Sequence, residues 1–537
     1  MPAWEDWWIK QAWRILAGSF WPSELTDSPA GHTLGGKPGG IKERNTVFGE
    51  TDGSAILGVS LQVLEDYEKK EKCGLFGIWG TPQASQICYQ GLYAQQHRGQ
   101  ESAGMVTSDG SDLYGHTGMG LVSQIFRPRL LTEELPGHAA IGHVRYSTTG
   151  SSKMCNAQPI LRQYRLGPVA VAHNGNLINA QLLRRQYEEF GHIFQTTPDT
   201  EIIVHLLAKP THAEKADPLP HVLKHLQGAY SLLFLFPDRM EACRDPWGIR
   251  PLALGKTHDG CWVVASETCA FDAIDATYVR DIQPGEIVRI DDKGVHSRQF
   301  DKPAEQGAKC VFEHVYFANP ASKVFEQTVH IVRTNMGMQL AREAPVPADF
   351  VMPMPDSGRS AALGYAKESG IPFEEGIVPN RFVGRTFILP NQLQRDRAVA
   401  LKLNIIPDVI EDKRVIIVED SVVRGTTTRS KMRALRRAGA KEIHLSISCP
   451  PIRHPCFYGI DFPTAQELIA HGRTVEEIRE YLEVDSIHYL SLEGMLSCVS
   501  GPTSQYCTAC WSGEYKIPVD VPQSKFSFER DQLPMFP

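Results

Sequence analysis

Apolar and polar positions alternate in two different rhythms along the chain. Up to about Gly307, short apolar runs are separated by turn residues, as in PVAVAHNGN at 168–176, AYSLLFLF at 229–236 and GCWVVASE at 260–267. These predict strands. Helical periodicity over 179–190 and 200–207 predicts two helices among them. Many strands with few helices predict a layered α+β domain. From about Lys309 to Glu493 the order becomes strand, loop, helix. Strands are expected over 349–354, 414–418 and 443–448, and helices over 360–368, 427–437, 464–470 and 475–482. The strands are unbroken apolar runs, as a parallel sheet covered by helices on both faces requires. This half predicts a doubly wound α/β domain. A short polar tail from Leu496 carries Cys507 and Cys510, and no internal repeat is visible.

Residues 1–72 follow neither rhythm. Trp4, Trp7, Trp8, Trp13 and Trp21 crowd the start, a Gly/Ser/Thr/Pro-rich stretch covers 28–54, and a charged helix is expected over 64–72. Glu5, Asp6, Lys10 and Arg14 break any signal-peptide core. The segment reads as a leader or propeptide, or as a start assigned too far upstream. The expected organisation is therefore 1–72 leader, 73–307 first domain, 308–495 second domain and 496–537 tail.

At 537 residues the chain exceeds what one core sustains. Its net charge of −7 argues against general nucleic-acid binding, and no apolar run is long enough to span a membrane. Twelve cysteines spread over the whole length do not form the framework of a small secreted domain. A cytoplasmic setting is expected, with the cysteines as thiols, metal ligands or nucleophiles.

The run RVIIV-EDSVVRGTTT at 414–428 carries the most chemistry. A buried strand delivers Glu419 and Asp420 to its C-terminal end. A loop with Arg424, Gly425, Thr426 and Thr427 then opens a helix, whose N–H groups and threonine hydroxyls suit a phosphate. The carboxylates suit ribose hydroxyls or Mg²⁺. The plainer reading is a strand ending in a solvated acidic turn. NRFVGRTF at 380–387 offers Arg381 and Arg385 for a lid over a diphosphate; on chemistry alone it is also an ordinary basic loop.

The phosphate run resembles the phosphoribosyl-diphosphate (PRPP) motif of phosphoribosyltransferases. Cys73 in CGLFG, with QHRGQESAG at 96–104, GHVRYSTTG at 142–150, AHNGN at 172–176 and PDTE at 198–201, resembles the N-terminal-nucleophile glutamine amidotransferases. Together, with RDPWGIRPL at 244–252 and AHGRTVEEI at 470–478, they resemble the PRPP amidotransferase family from Cys73 to about Tyr515. The resemblance implies an αββα glutaminase domain followed by a type I phosphoribosyltransferase domain. It also implies glutamine and PRPP as substrates, one Mg²⁺ per subunit on Glu419 and Asp420, purine-nucleotide feedback and a homotetramer. Neither nucleic-acid nor membrane partners are expected.

The implied roles meet physical needs. With Cys73 as first residue, its own α-amine can serve as general base. Asn174 and the Gly175 N–H suit the oxyanion, Arg145 and Thr148 the glutamine carboxylate, and Asp199 the α-ammonium. The bland alternatives are a surface ion pair for Arg145 and a helix N-cap for Asp199. Cleavage between Lys72 and Cys73 is expected, because an amide nitrogen offers no base. At the second site Arg381, Arg385 and Lys402 would offset diphosphate charge. Departures from the family pattern are Glu419 for an aspartate, Pro379 for a lid lysine, Phe382 for a tyrosine, Asn319 for an arginine and Gly358 for a serine.

Cys310, Cys456, Cys507 and Cys510 are compatible with Zn²⁺, an iron–sulfur cluster or disulfides. One branch of the family holds a [4Fe–4S] cluster at these positions, which the resemblance therefore implies here. The other cysteines are expected in the core. Two rival functions are a sugar-phosphate-aminating amidotransferase and a PRPP-sensing regulator without catalysis.

Overall fold

A computed structural model describes residues 73–146, 152–380, 403–461 and 464–519. The leader, the helix expected over 64–72, Thr148, Arg381, Phe382, Arg385 and Lys402 lie outside them. The first half comprises β1 (Gly74–Trp79), α1 (Ala84–Ala94), β2 (Ser102–Ser108), β3 (Leu113–Met119), β4 (Ala139–Arg145), β5 (Ile160–Tyr164), β6 (Gly167–Leu177), α2 (Ala180–Glu189), α3 (Glu201–Ala208) and α4 (Leu219–Leu223). It continues through β7 (Gly228–Phe236), β8 (Arg239–Arg244), β9 (Ala253–Thr257), β10 (Trp262–Ala265), β11 (Ala276–Asp281), β12 (Glu286–Asp291) and β13 (Gly294–Gln299). The strands form two sheets, ordered β11-β9-β10-β1-β4-β2-β3 and β13-β12-β8-β7-β6-β5.

The sheets pack face to face. Leu75, Trp79 and Ile141 of the first meet Ala170, Ala172, Leu233 and Leu235 of the second. Helix α1 covers the outer face of the first sheet, with Ala84, Cys88 and Leu92 against Phe76 and Ile78. Helices α2, α3 and α4 cover the other, with Leu183, Ile203, Leu207 and Val222 against Val171, Leu232 and Phe234. The run at 229–236 is apolar but for Ser231 for this reason. Leu233 and Leu235 face the facing sheet, while Leu232 and Phe234 face the helices. The αββα layering expected for this half is the observed one.

The second half comprises β14 (Lys309–Cys310), α5 (Val329–Glu343), β15 (Phe350–Pro353), α6 (Arg359–Ser369), β16 (Ile377–Pro379), β17 (Leu403–Ile405), β18 (Arg414–Glu419), α7 (Thr426–Arg437), β19 (Glu442–Ile447), α8 (Val475–Leu482), β20 (Ser486–Tyr489) and β21 (Tyr506–Cys507). Strands β15, β18, β19 and β20 make a parallel sheet in that order, with β16 and β17 a separate hairpin-like pair. This is the doubly wound half.

The helix expected over 464–470 is reduced to one 3₁₀ turn, Ala465–Glu467. Leu468 is extended, Leu468, Ile469 and Ala470 are buried ahead of a turn, and the Ile469 N–H donates to the Val423 carbonyl at 2.8 Å. A tertiary backbone bond there replaces the helical one. The tail also differs from its polar composition. Tyr506, Cys507, Cys510 and Trp511 belong to the parallel-sheet core, which also takes in Ala229 and Ile249 of the layered half. Thus the tail closes over the junction of both halves.

Helices α5 and α6 cross in near-backbone contact. A Cβ on Gly337 would lie 1.8 Å from the Ala361 carbonyl oxygen, and one on Gly364 1.9 Å from that of Thr334. Only backbone stands in the way, so relief requires moving a helix. Gly364→Ala is expected to cost about 1–3 kcal/mol, measurable by urea unfolding, despite alanine's better helix propensity. A neutral or stabilising result would contradict this packing.

Candidate functional site

Cys73 precedes β1 directly and is buried, and its thiol donates to the Tyr146 carbonyl at 3.6 Å. Burial pushes the thiol pKa up, against the opposing pull of the Tyr146 backbone and the Arg145 charge. A thiol so held stays protonated and needs a base beside it to become a nucleophile. The Cys73 carbonyl accepts from Arg98 Nε at 3.0 Å. Two residues on, the Leu75 N–H donates to Ser266 Oγ at 3.0 Å, and Asn174 Nδ2 donates to the same hydroxyl at 3.4 Å. Ser266 therefore ties the nucleophile's strand to the oxyanion candidate on β6.

Gly175 has φ of +155°, and a Cβ there would lie 1.9 Å from the Ala229 carbonyl oxygen. The strand pairing leaves no room for a side chain. Arg145 is buried rather than a surface residue, and its Nη1 donates to Glu101 at 2.8 Å. Asp199 is not the N-cap of α3. Thr200 holds that position, and Asp199 Oδ2 accepts from the Leu177 N–H at 2.8 Å. Burial raises the Asp199 pKa, but His173 and these hydrogen bonds outweigh it and hold the carboxyl below its ordinary range. An ionised carboxylate suits an ammonium partner.

Arg98 was quoted only as part of a motif, yet it organises a buried ion cluster. It pairs with Glu267 and with Glu313, the latter at 3.0 and 3.1 Å, and neither arginine nor partners are exposed. Glu267 also meets His97, the Asn319 N–H at 2.8 Å and Ser322 Oγ at 2.8 Å. Asn319, the departure from arginine, thus contributes backbone to this cluster. Arg333 on α5 donates to the carbonyls of His314 and Ala318, and its charge acts on Asp420. Sequence spacing carries no signal for these long-range partners.

Burial and Arg145 hold the His143 imidazole down at about 3. An unfolded histidine protonates near 6.5, so between these values the unfolded chain binds more protons. Stability therefore falls as pH drops through that window, by up to about 1.4 kcal/mol per pH unit. Unfolding free energies measured from pH 7 to 4 are expected to show this slope, and His143→Gln to reduce it.

In the second half, Glu419 and Asp420 lie buried at the C-terminal end of β18. Lys431 Nζ lies 3.8 Å from Glu419 Oε1, and Ser421 Oγ donates to Asp420 at 2.6 Å. Gly425 takes a left-handed φ of +76° and begins α7 without any side-chain cap. Its first N–H groups are thereby left for an anion beside Thr426 and Thr427. Arg424 pairs with Glu467, the last residue of the 3₁₀ turn. Gly358 explains itself: a Cβ there would lie 2.2 Å from the Val418 carbonyl oxygen. A cleft of about 390 Å³ is lined by Asp356, Arg359, Glu375, Pro379, Asn380 and Asn404.

Cys310 stands opposite Cys507 across the β14–β21 pair. Burial pushes the thiols of Cys456 and Cys507 up to about 11 and 12, and that of Cys510 well above its ordinary value; each is also raised by neighbouring thiols of the four. All described cysteines are free. Ligands of one zinc would lie ~3.8 Å apart, given tetrahedral bonds of ~2.3 Å. Among the described residues, the only ligand trio within 4.8 Å is His97, Glu267 and Cys269, not these thiols. Of the remaining cysteines, Cys88, Cys243, Cys269 and Cys449 are buried as expected. Cys261 and Cys498 are only partly so, and Cys155 is exposed beside the end of a loop, contrary to expectation.

A family model for the glutamine amidotransferase domain matches residues 143–273. The chain is 47% identical over 462 residues to the chloroplastic amidophosphoribosyltransferase of Glycine max, covering 86% of this chain and 81% of that protein. It is likewise 47% identical over 475 residues to the amidophosphoribosyltransferase of Methanothermobacter thermautotrophicus, covering 87% and 99%. Among solved structures it resembles the Bacillus subtilis glutamine PRPP amidotransferase complexed with ADP and GMP. That match has a TM-score of 0.78 and 46% identity, and covers 83% of this chain and 98% of the other.

Proposed function

The chain belongs to the amidophosphoribosyltransferase family, enzymes of purine biosynthesis, and on that premise we propose that Cys73 hydrolyses glutamine and the 419–427 loop aminates PRPP. The observation that carries this is the coexistence of both constellations in one chain: a buried thiol beside a strand tied through Ser266 to Asn174, and buried carboxylates at the end of a strand that leads into a helix start.

Cleavage before Cys73 frees an α-amine, which takes the thiol proton while sulfur attacks the glutamine amide carbon. Asn174 and the Gly175 N–H hold the oxyanion, and the amine returns the proton to departing ammonia. Arg145 with Thr148 holds the substrate carboxylate, and Asp199 its ammonium. Water then releases glutamate. Ammonia passes inside the protein, where it escapes protonation by bulk water. Contact between the halves supports this: Asn176 Nδ2 donates to the Phe457 carbonyl at 2.9 Å, and Gly459 lies against Gly175. At the second site the ammonia nitrogen bonds to C1 of PRPP as the C1–oxygen bond to diphosphate breaks, giving 5-phosphoribosylamine. Glu419 and Asp420 grip the ribose and would hold Mg²⁺, which neutralises diphosphate charge. Gly425, Thr426 and Thr427 hold the 5-phosphate, and Arg381, Arg385 and Lys402 the diphosphate. Arg424 would have to exchange Glu467 for a phosphate.

A [4Fe–4S] cluster on Cys310, Cys456, Cys507 and Cys510 would join the tail to both halves as a structural bond. The support is that the four thiols, three buried and Cys456 partly so, lie near enough to raise one another's pKa. Feedback by purine nucleotides, a homotetramer and a cytoplasmic site complete the proposal. No helix among the described residues is long and apolar enough to cross a membrane.

The test is to mix the protein with glutamine, PRPP and Mg²⁺ and to measure glutamate and pyrophosphate. Equal amounts of both support the proposal. Glutamate without pyrophosphate favours an amidotransferase acting on another acceptor, and neither product favours a non-catalytic regulator.

A further inference from the structure

Beyond the four thiols, a fully buried cation sits among the segments that carry them. Arg250 is fully buried, in the loop that joins β8 to β9. The carbonyl of its neighbour Ile249 accepts from the Cys310 N–H at 3.1 Å. Its own guanidinium donates to the Tyr458 carbonyl, two residues beyond Cys456. Nη1 also reaches Glu313 at 3.3 Å, but Glu313 is shared with Arg98. Arg250 Nε is buried and finds no hydrogen-bond acceptor among the described residues.

The surroundings are otherwise aromatic. Phe312 stacks on Trp511 with centroids 5.4 Å apart, and Tyr515 lies against Phe457 and Tyr458 at 5.0 and 6.1 Å. Such walls exclude water and supply little to offset negative charge.

We propose that Arg250 is the buried counter-charge and N–H donor of the four-cysteine centre, setting its reduction potential and its resistance to air. The inference rests on the iron–sulfur reading above. Four thiolates around a cluster carry net negative charge, and hydrogen bonds to sulfur and nearby charge set such potentials. A buried guanidinium with a spare donor stabilises the reduced form and opposes oxidation. The same side chain ties the centre to the glutaminase half through the Ile249–Cys310 bond and the Tyr458 carbonyl.

The test uses anaerobically prepared, full holoenzyme of the wild type, Arg250→Met and Arg250→Lys. Iron and acid-labile sulfide, the midpoint potential and the bleaching rate of visible absorbance in air are measured. Arg250→Met is expected to bleach several-fold faster and to titrate at a more negative potential. A tenfold change in the one-electron equilibrium corresponds to about 59 mV. Arg250→Lys keeps the charge but loses the Nε donor, and is expected to shift less in the same direction. If Arg250→Met fails to load, the lysine variant decides. Wild-type potential and bleaching rate in a loaded Arg250→Lys, or in a loaded Arg250→Met, would overturn the inference alone. A wild type without iron and sulfide would overturn the cluster reading, and this inference with it.

Discussion

Cys73→Ala is expected to lower glutamine-dependent pyrophosphate release by roughly a thousandfold or more, while ammonium salts still support it. As proposed, the thiol is the reacting atom of the first site. Arg98, Ser266 and Glu101 hold backbone or other side chains, not a second nucleophile. The substitution removes one sulfur from a position that already accommodates a small apolar group, so the fold should persist. Ammonia added from outside enters the chemistry after the damaged step. Comparing pyrophosphate release with glutamine and with ammonium chloride therefore separates the two halves. Equal loss with both nitrogen donors would make Cys73 structural. The same assay bears on the leader: protein retaining residues before Cys73 is expected to behave as this variant does, since an amide nitrogen cannot take the thiol proton.

Asp420→Asn is expected to have the complementary effect. Pyrophosphate release should fall by roughly a hundredfold or more with either nitrogen donor, because the lost charge is the one proposed to hold ribose and Mg²⁺ at the reacting carbon. Asp420 is 1% exposed at the end of a buried strand, so solvent cannot stand in for it. Arg333 loses a favourable charge, yet keeps its two carbonyl acceptors at 2.6 and 2.9 Å, and the fold should survive. Steady-state kinetics with ammonia as donor check this, with thermal unfolding as control. Retained activity would move the ribose site away from Asp420. Glu419→Gln, at the neighbouring buried carboxylate, is expected to change the rate in the same direction.

Much of this was legible in the residues themselves. Strand β7 and helix α8 announced themselves by their apolar pattern, over 229–236 and 475–482. Local order of that kind needs only near neighbours. The 464–470 stretch has a similar composition but meets the Val423 carbonyl in space, and that distant partner decides its conformation. Arg145 and Asp199 likewise left two readings open each. Their burial, with Glu101 and the Leu177 N–H as partners, excludes a surface ion pair and a helix cap.

By itself, the sequence determined the two rhythms, the layered α+β and parallel-sheet classes and the candidate phosphate loop, because each lies within continuous stretches whose geometry is local; the αββα layering and Cys73 as candidate nucleophile came from the family resemblance. Only the tertiary structure decided what surrounds them. The Arg98–Glu267–Glu313 cluster, the Cys310–Cys507 pairing and the buried tail join residues far apart in the chain. Such contacts form when distant segments are desolvated together, and charges buried that way must find opposite charges wherever the fold places them.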